Sequence, residues 1–252
     1  MHSVASLNTT CSAAVSERPN HKASRADFEF SALDAAVNFR AALLNEFTPW
    51  LKRRVVEVGA GIGQITSGIN AIPTVEEVVA VEPEARFCQT FRKQHSQLKL
   101  VHGTASDLGE DFDWNALVCI NVLEHIENDG DALKEFHRRL YRNRGHVCLF
   151  VPARQEIYSP IDRDFGHFRR YNKSRLRELF ADASFDVIRL SYFNWVGYFA
   201  WWLNFQVFRK RHFDTASVTF FDRAIFPKVH WMERTILRPP FGQSLLAVAR
   251  AR

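Results

Sequence analysis

Glu57 stands two positions ahead of three alternating glycines in Val55-Val56-Glu57-Val58-Gly59-Ala60-Gly61-Ile62-Gly63. An apolar run that turns sharply through glycines and resumes as a helical pattern is how a strand hands a nucleotide-like ligand to a helix N-terminus. A backbone without Cβ atoms admits positive φ and close approach of the ligand. Packing alone can also select glycine in such a turn. A second carboxylate strengthens the signal: Glu82 ends the apolar run Val78-Val79-Ala80-Val81. It lies about 20 residues beyond the last glycine, the distance at which a second-strand acid reaches ribose hydroxyls in doubly wound folds. The spacing departs from the dinucleotide fingerprint G-x-G-x-x-G, and Glu57 beside the turn would repel a pyrophosphate. A buried carboxylate instead favours a ligand that carries an ammonium or sulfonium group.

The elements that must position these residues alternate. Leu33, Val37, Ala41, Leu44 and Phe47 recur at helical spacing and predict an amphipathic helix that ends near Pro49 and covers the ligand pocket. Strands are predicted at 54–58, 77–82, 98–102, 115–121 and 145–151, and helices at 63–71, 84–95 and 130–142. Such alternation means a parallel sheet with helices on both faces. Ligands of open sheets sit beyond the carboxyl ends of the strands, so the loops at Gly59, Glu82, Thr104, Asn121 and Pro152 should meet at one edge. A helix at 173–183, a strand at 185–190 and a last strand at 244–249 follow, which leaves 195–240 as an insertion between the last two strands.

Four segments resemble the class I S-adenosylmethionine-dependent methyltransferases. Val-Glu-Val-Gly-Ala-Gly-Ile-Gly is similar to that family's first motif, and Val81-Glu82-Pro83 to the end of its second strand. His102-Gly103-Thr104-Ala105-Ser106-Asp107-Leu108 resembles the third-strand loop, and Cys119-Ile120-Asn121-Val122-Leu123-Glu124-His125-Ile126 the end of the fourth strand and the loop after it. The resemblance covers about residues 33 to 190 and implies a Rossmann-like, doubly wound seven-stranded α/β sheet, with an aromatic helical cap inserted before the last strand. It implies S-adenosyl-L-methionine as cofactor and S-adenosyl-L-homocysteine as product. Donor contacts fall on Glu57, Gly59, Ala60, Gly61 and Gly63 for the methionine half and Glu82 with Pro83 for the ribose. Thr104 and Ala105 then face the adenine, and Asn121 with Val122 line the path to the methyl group. The family commonly has an acid after the glycine of the third-strand loop; here Thr104 stands there. The adenine contact then comes from its hydroxyl, from backbone or from Asp107.

Methyl transfer from a sulfonium is an in-line displacement, so alignment and exclusion of water are the main tasks. A base is needed when the acceptor arrives protonated, and histidine is the first suspect. His125 and His167 lie on the predicted active edge. His125 belongs to the Glu-His-Ile signature and either shapes the loop or moves a proton. His167 sits in Gly166-His167-Phe168-Arg169-Arg170-Tyr171, a block resembling one in a branch of these methyltransferases often linked with glycan or natural-product pathways. It serves the acceptor, or Asp162, Asp164, Arg169 and Arg170 form an ion-pair network that only pins the loop. His167, Tyr171 and His125 are the candidate catalytic residues, with Arg170, Asn194 and Trp195 as candidate acceptor contacts. Residues 153 to 172 read as a loop.

The stretch 195 to 208, rich in Trp, Phe and Tyr, is too short for a bilayer span of about 20 residues. Three readings stand for it: a cap over the acceptor, an interfacial helix backed by Arg209-Lys210-Arg211, or core packing. With 252 residues, 46% hydrophobic and 24% charged, the chain is long enough for one well-cored domain, taken as 27–252. Residues 1–26 read as a mobile tail with no secretory signal, which favours the cytoplasm. Cys11, Cys88, Cys119 and Cys148 form no C-x-x-C pair and read as core thiols or isolated; no metal is expected. A net charge of +5 spread along the chain, and Asn121-Val122-Leu123-Glu124 in the place of a base-holding loop, disfavour nucleic acid. The expected partner is a small-molecule acceptor, with peripheral membrane contact left open and the oligomeric state undetermined. A nicotinamide oxidoreductase, a donor-binding protein without catalysis, and another use of the same cofactor are the rival classes.

Overall fold

A computed structural model describes residues 35–109, 113–210, 215–236 and 239–252. The expected tail at 1–26, Leu33, Cys11 and Arg211 lie outside the described residues.

Seven strands form one sheet in the order β3-β2-β1-β4-β5-β7-β6. They are β1 (Arg53–Val58), β2 (Val75–Glu82), β3 (Lys99–His102), β4 (Ala116–Ile120), β5 (His146–Pro152), β6 (Phe185–Phe193) and β7 (Ser244–Ala251). The first five pair in parallel, while β7 runs against both β5 and β6. The helices are α1 (Val37–Phe47), α2 (Gln64–Asn70), α3 (Ala85–Gln94), α4 (Asp129–Leu140), α5 (Pro160–Phe165), α6 (Lys173–Asp182), α7 (Trp195–Trp201), α8 (Thr215–Phe220) and α9 (Phe226–Thr235).

The strands read as continuous apolar runs because both faces are covered. Val56, Val58, Leu117, Cys119, Val147 and Leu149 face one layer, packed on Leu133, Phe136 and Leu140 of α4 and Leu176, Leu179 and Phe180 of α6. Their alternates Val55, Ala116, Val118, Cys148 and Phe150 face the other, against Leu43 and Phe47 of α1 and Ile65 and Ile69 of α2. Each fully buried large apolar side chain here contributes about 1.5–3 kcal/mol. The sheet changes direction at β1, from which β2 lies to one side and β4 to the other. The loops after β1 and β4 therefore part, and the crevice between them is the natural ligand site of such a sheet.

Three expectations are corrected. The predicted face of the first helix included Val37, which is 55% exposed, whereas Leu43, Glu46 and Phe47 are the residues that α1 buries. An apolar count overlooks Glu46, which is buried because Arg189, His230 and Arg234 converge on its carboxylate. The stretch 153–172 is not all loop. Ser159 and Asp162 make a capping box, Pro160 takes the first turn, and Gly166 at φ +84° ends the six-residue α5. Finally, β6 runs on to Phe193, because its pairing with β7 continues to Phe193 opposite Ser244.

Between β6 and β7 the chain forms α7, a π-helical turn at Trp202–Val207, α8, a second π turn at Phe221–Ile225, and α9. This connection reaches back to the start of α1. Both carboxylate oxygens of Asp222 accept from its first turn, from the Asn38 N–H at 2.9 Å and the Phe39 N–H at 2.8 Å. Asp222 thus caps α1 from a distant segment and satisfies two of the four N–H groups that a helix start leaves open.

Candidate active site

A cavity of about 1590 Å³ opens at the carboxyl ends of β1 to β5 and runs under α7 and the second π turn. Its wall includes Glu57, Gly59, Ala60, Glu82, Pro83, Thr104, Ala105, Asn121 and Val122 at one end. At the other it includes His125, His167, Arg170, Asn194, Trp201 and Phe205. The five loops expected at one edge do meet there.

The glycine turn and the second acid are tied together. Glu82 accepts from the Gly61 N–H at 2.8 Å and from the Glu84 N–H at 2.9 Å, which fixes its carboxylate at the cavity rim. Burial raises its pKa against these two bonds, which lower it. Gly59 and Gly63 hold φ of +77° and +94°, and the space a Cβ would need is already taken by protein. At Gly59 it would meet Val122 Cγ2 at 2.1 Å; at Gly63, the His95 and Phe91 rings. At these two positions glycine answers to packing and backbone conformation.

Glu57, 3% exposed, accepts from the Thr66 hydroxyl of α2. Burial pushes its pKa up to about 8, the Thr66 bond opposing and the Glu82 charge adding to the rise. The carboxylate expected to greet a cation therefore holds a proton at neutral pH until one arrives. In the third-strand loop, Asp107 Oδ2 accepts from the Thr104 N–H at 2.7 Å and from its hydroxyl at 2.9 Å. Asp107 does not line the cavity, whereas Gly103, Thr104, Ala105 and Ser106 do. The Thr104 hydroxyl also accepts from the Asp107 N–H in a capping box, so one lone pair of its oxygen is left for an incoming donor.

At the other end the block around His167 folds as a network. His167 Nδ1 lies 3.1 Å from Asp162 Oδ1, and Arg170 holds the same oxygen through Nε at 2.8 Å and a terminal nitrogen at 2.7 Å. Burial alone would raise Asp162, but the bonds from His167 and Arg170 outweigh it and hold its pKa below the ordinary value. The Arg170 guanidinium also donates to the Ala153 carbonyl and lies 4.4 Å from the Trp201 ring centre. Its charge is spent inside the fold, so although Arg170 lines the cavity it is not presented to an acceptor as expected. The His125 ring stands edge-on to His167 at 4.7 Å. Its pKa falls to about 4, first through burial, then through the charge of His167, with a backbone hydrogen bond at Gly166 opposing. A neutral His125 is a weak base near pH 7.

Two further candidates are corrected outright. Tyr171 is 1% exposed and does not line the cavity; its hydroxyl donates toward the Leu123 carbonyl and Asp129 at 3.2 and 3.1 Å. Burial raises its pKa, far from any catalytic value. Tyr171→Phe should cost about 1 kcal/mol in urea unfolding, the worth of a buried hydrogen bond, and leave donor affinity unchanged. A selective loss of donor or acceptor binding would restore it to the site. Trp195 also lies off the cavity wall, its backbone N–H donating to Glu233 at 2.6 Å. Asn194 lines the cavity, but its amide caps α7 by accepting from Gly197 and donates to Gln243 at 2.9 Å.

The segment 195–208 divides by face. Trp201 and Phe205 are buried on Ile157 and Ile161 and line the cavity, as a cap would. Phe199, Trp202, Leu203, Val207 and Phe208 point outward, each more than two-fifths exposed. No helix among the described residues is long and apolar enough to cross a membrane.

The family model of the methyltransferase domain matches residues 56–149, the stretch from β1 through β5 that carries the donor end of the cavity. This match agrees with the resemblance to the class I S-adenosylmethionine-dependent methyltransferases that the motifs carry. Solved structures share the fold of this chain. One chain of the complex between the Haloferax volcanii Trm112 methyltransferase activator and a provisionally named methyltransferase is 17% identical, with a TM-score of 0.61 over 94% of this chain and 99% of that one. The Burkholderia thailandensis 1,6-didemethyltoxoflavin-N1-methyltransferase, solved with bound 1,6-didemethyltoxoflavin and S-adenosylhomocysteine, is 17% identical, with a TM-score of 0.55 over 97% of this chain and 93% of that one. A methyltransferase from Archaeoglobus fulgidus is 15% identical, with a TM-score of 0.52 over 82% and 90%.

The methyltransferase domain implies S-adenosylmethionine as cofactor, and the residues of this chain fit it. Two buried acids, Glu57 and Glu82, face one cavity, a setting that suits a ligand bearing both a positive charge and hydroxyl groups. Three buried acids and the half-buried Glu233 carry no functional signal in the sequence. Glu124 stands out only as part of the Glu-His-Ile signature, while Glu46, Asp222 and Glu233 have no local signal, since each serves partners far away in the chain.

Proposed function

We propose that this methyltransferase transfers a methyl group to a small molecule with an apolar body and one nucleophilic atom, of the natural-product or sugar type. The observation that carries the reading is the cavity itself. At about 1590 Å³ it exceeds the roughly 300–1,000 Å³ of an ordinary ligand pocket, so it has room for donor and acceptor together. When bound, the donor supplies an electrophilic methyl group on a sulfonium sulfur.

In this reading Glu57 and the turn at Gly59–Gly63 hold the methionine half, and Glu82 accepts from the ribose. Thr104 with Ala105 borders the adenine. Asn121 and Val122 line the way to the methyl group, beyond which His167 and the inner face of α7 meet the acceptor. Trp201 and Phe205 keep water away from that end, which strengthens every polar contact inside. The test mixes purified protein with S-adenosylmethionine and a panel of hydroxylated and aminated small molecules. Mass spectrometry should show one acceptor gaining a methyl group as S-adenosylhomocysteine appears in equal amount. Donor that binds and is never consumed across the panel would make the protein a binder; no donor binding at all would remove the reading.

A further inference from the structure

Glu124, His125 and His167 bring a carboxylate and two imidazoles together on the cavity wall, with one ligand-type atom of each within 4.8 Å of the others. We propose that these three side chains form a divalent-cation site, with Zn²⁺ or a similar first-row ion as its natural guest, whose open positions take an oxygen of the acceptor. The proposal deepens the reading of the cavity as a methyl-transfer site and rests on that reading for the role of the ion, though not for its binding.

Three observations support it. The donor set is that of known catalytic zinc sites, two imidazoles and a carboxylate, with further positions left for water or substrate. Each imidazole also has a protein partner besides the cluster, and that of His167 lies on the ring nitrogen away from Glu124. His167 Nδ1 faces Asp162 at 3.1 Å, itself anchored by Arg170 and by the Ser159 N–H, and His125 has its backbone partner in Gly166. A carboxylate or carbonyl behind the ring is how metal-binding histidines are held in the ligating tautomer. Finally, the cluster lies on the wall of an open cavity, which gives the ion a way in and the acceptor a way to it.

The closure required is small. Metal–ligand bonds of about 2.0–2.2 Å put tetrahedral ligand atoms about 3.4 Å apart. His167 Nε2 and Glu124 Oε1 are already 4.0 Å apart, so rotations of these side chains bring them to distance. An acceptor hydroxyl bound to the ion would release its proton to water more readily and keep its electron pair on oxygen, where a methyl carbon can take it. An oxygen acceptor is thereby favoured over carbon or an amine.

The full chain is stripped with a chelator and titrated with Co²⁺ and Zn²⁺ in the absence of donor. One ion per chain is expected, with a visible Co²⁺ spectrum that Zn²⁺ abolishes and X-ray absorption showing two imidazoles, oxygen and no sulfur. His167→Ala and Glu124→Gln should remove stoichiometric binding, Asp162→Asn should weaken it by about 10–100-fold, and His137→Ala should not change it. Acetohydroxamate, a bidentate oxygen ligand, should bind the loaded protein and not the stripped one. No stoichiometric ion, or binding that survives both ligand substitutions, overturns the site, and the wild-type absorption spectrum decides this even where a variant fails to fold. Loaded protein that ignores acetohydroxamate overturns the acceptor role. Calorimetry with S-adenosylhomocysteine on the same samples separates the two ideas: donor binding without metal refutes the cation site alone, and metal without donor refutes the methyl-transfer reading alone.

Discussion

Glu82→Ala should lower the affinity for S-adenosylhomocysteine by about 100- to 1,000-fold while the chain stays folded. Hydrogen bonds from a ligand to a charged group are worth about 1.5–3 kcal/mol each, and a ribose offers two hydroxyls, so losing both reaches this range at 1.4 kcal/mol per tenfold. A second loss adds to the first. Glu82 also accepts from the Gly61 and Glu84 N–H groups, so its removal loosens the turn that faces the methionine half. The cost to folding is that of the two N–H groups that lose an acceptor, about 1–3 kcal/mol each. Calorimetric titration of both proteins decides the matter, with circular dichroism as the control. An unchanged affinity would mean that the cavity binds its ligand in another orientation, or binds another ligand.

Glu57→Gln should stabilise the ligand-free protein and weaken donor binding at once. The folded-state pKa of Glu57 is pushed up from 4.5 to about 8, above all by burial. Over that window the folded chain holds a proton that the unfolded chain has released, so this group's contribution to stability falls as pH rises from about 4.5 to about 8 and is level beyond. At pH 7 the penalty is roughly 3 kcal/mol, from 1.36 kcal/mol per pKa unit. Glutamine has the same shape, can still accept from Thr66 and carries no such penalty. The gain in urea unfolding should therefore be close to zero at pH 4 and about 3 kcal/mol at pH 7; a gain that does not vary with pH would mean that Glu57 titrates normally. A cationic ligand reverses the logic, because its charge draws the proton off the carboxyl. Donor binding at pH 7 should release a proton, visible as a dependence of the binding heat on the buffer's ionisation enthalpy. In the Gln variant the release should vanish and affinity should drop by about 10- to 100-fold.

The two acids that make these predictions were legible without coordinates, because both lie at the ends of apolar runs and one precedes a glycine turn. The acceptor end was legible only as a list of polar residues. His167, Arg170 and Tyr171 follow one another closely, yet His167 faces the cavity, Arg170 lines it with its guanidinium held on Asp162, and Tyr171 points the other way onto Asp129. Chemical type alone does not separate them. The first helix teaches the same lesson, since its buried face includes a glutamate that no apolar period would select.

What this sequence determined by itself is local and periodic: the order of strands and helices, the glycine turn, and the two acids one strand apart. Each depends on neighbours within a few residues, on the two-residue period of a strand, or on a backbone conformation that only glycine adopts freely. The tertiary structure alone decided which polar groups face the cavity and which are consumed as caps and ion pairs. It brought Glu124 and His125 to His167, over 40 residues further on, and Asp222 to the start of α1, more than 180 residues away. Such pairings arise because every buried polar group must find a partner wherever the packed chain happens to offer one, and no short-range pattern records where that will be.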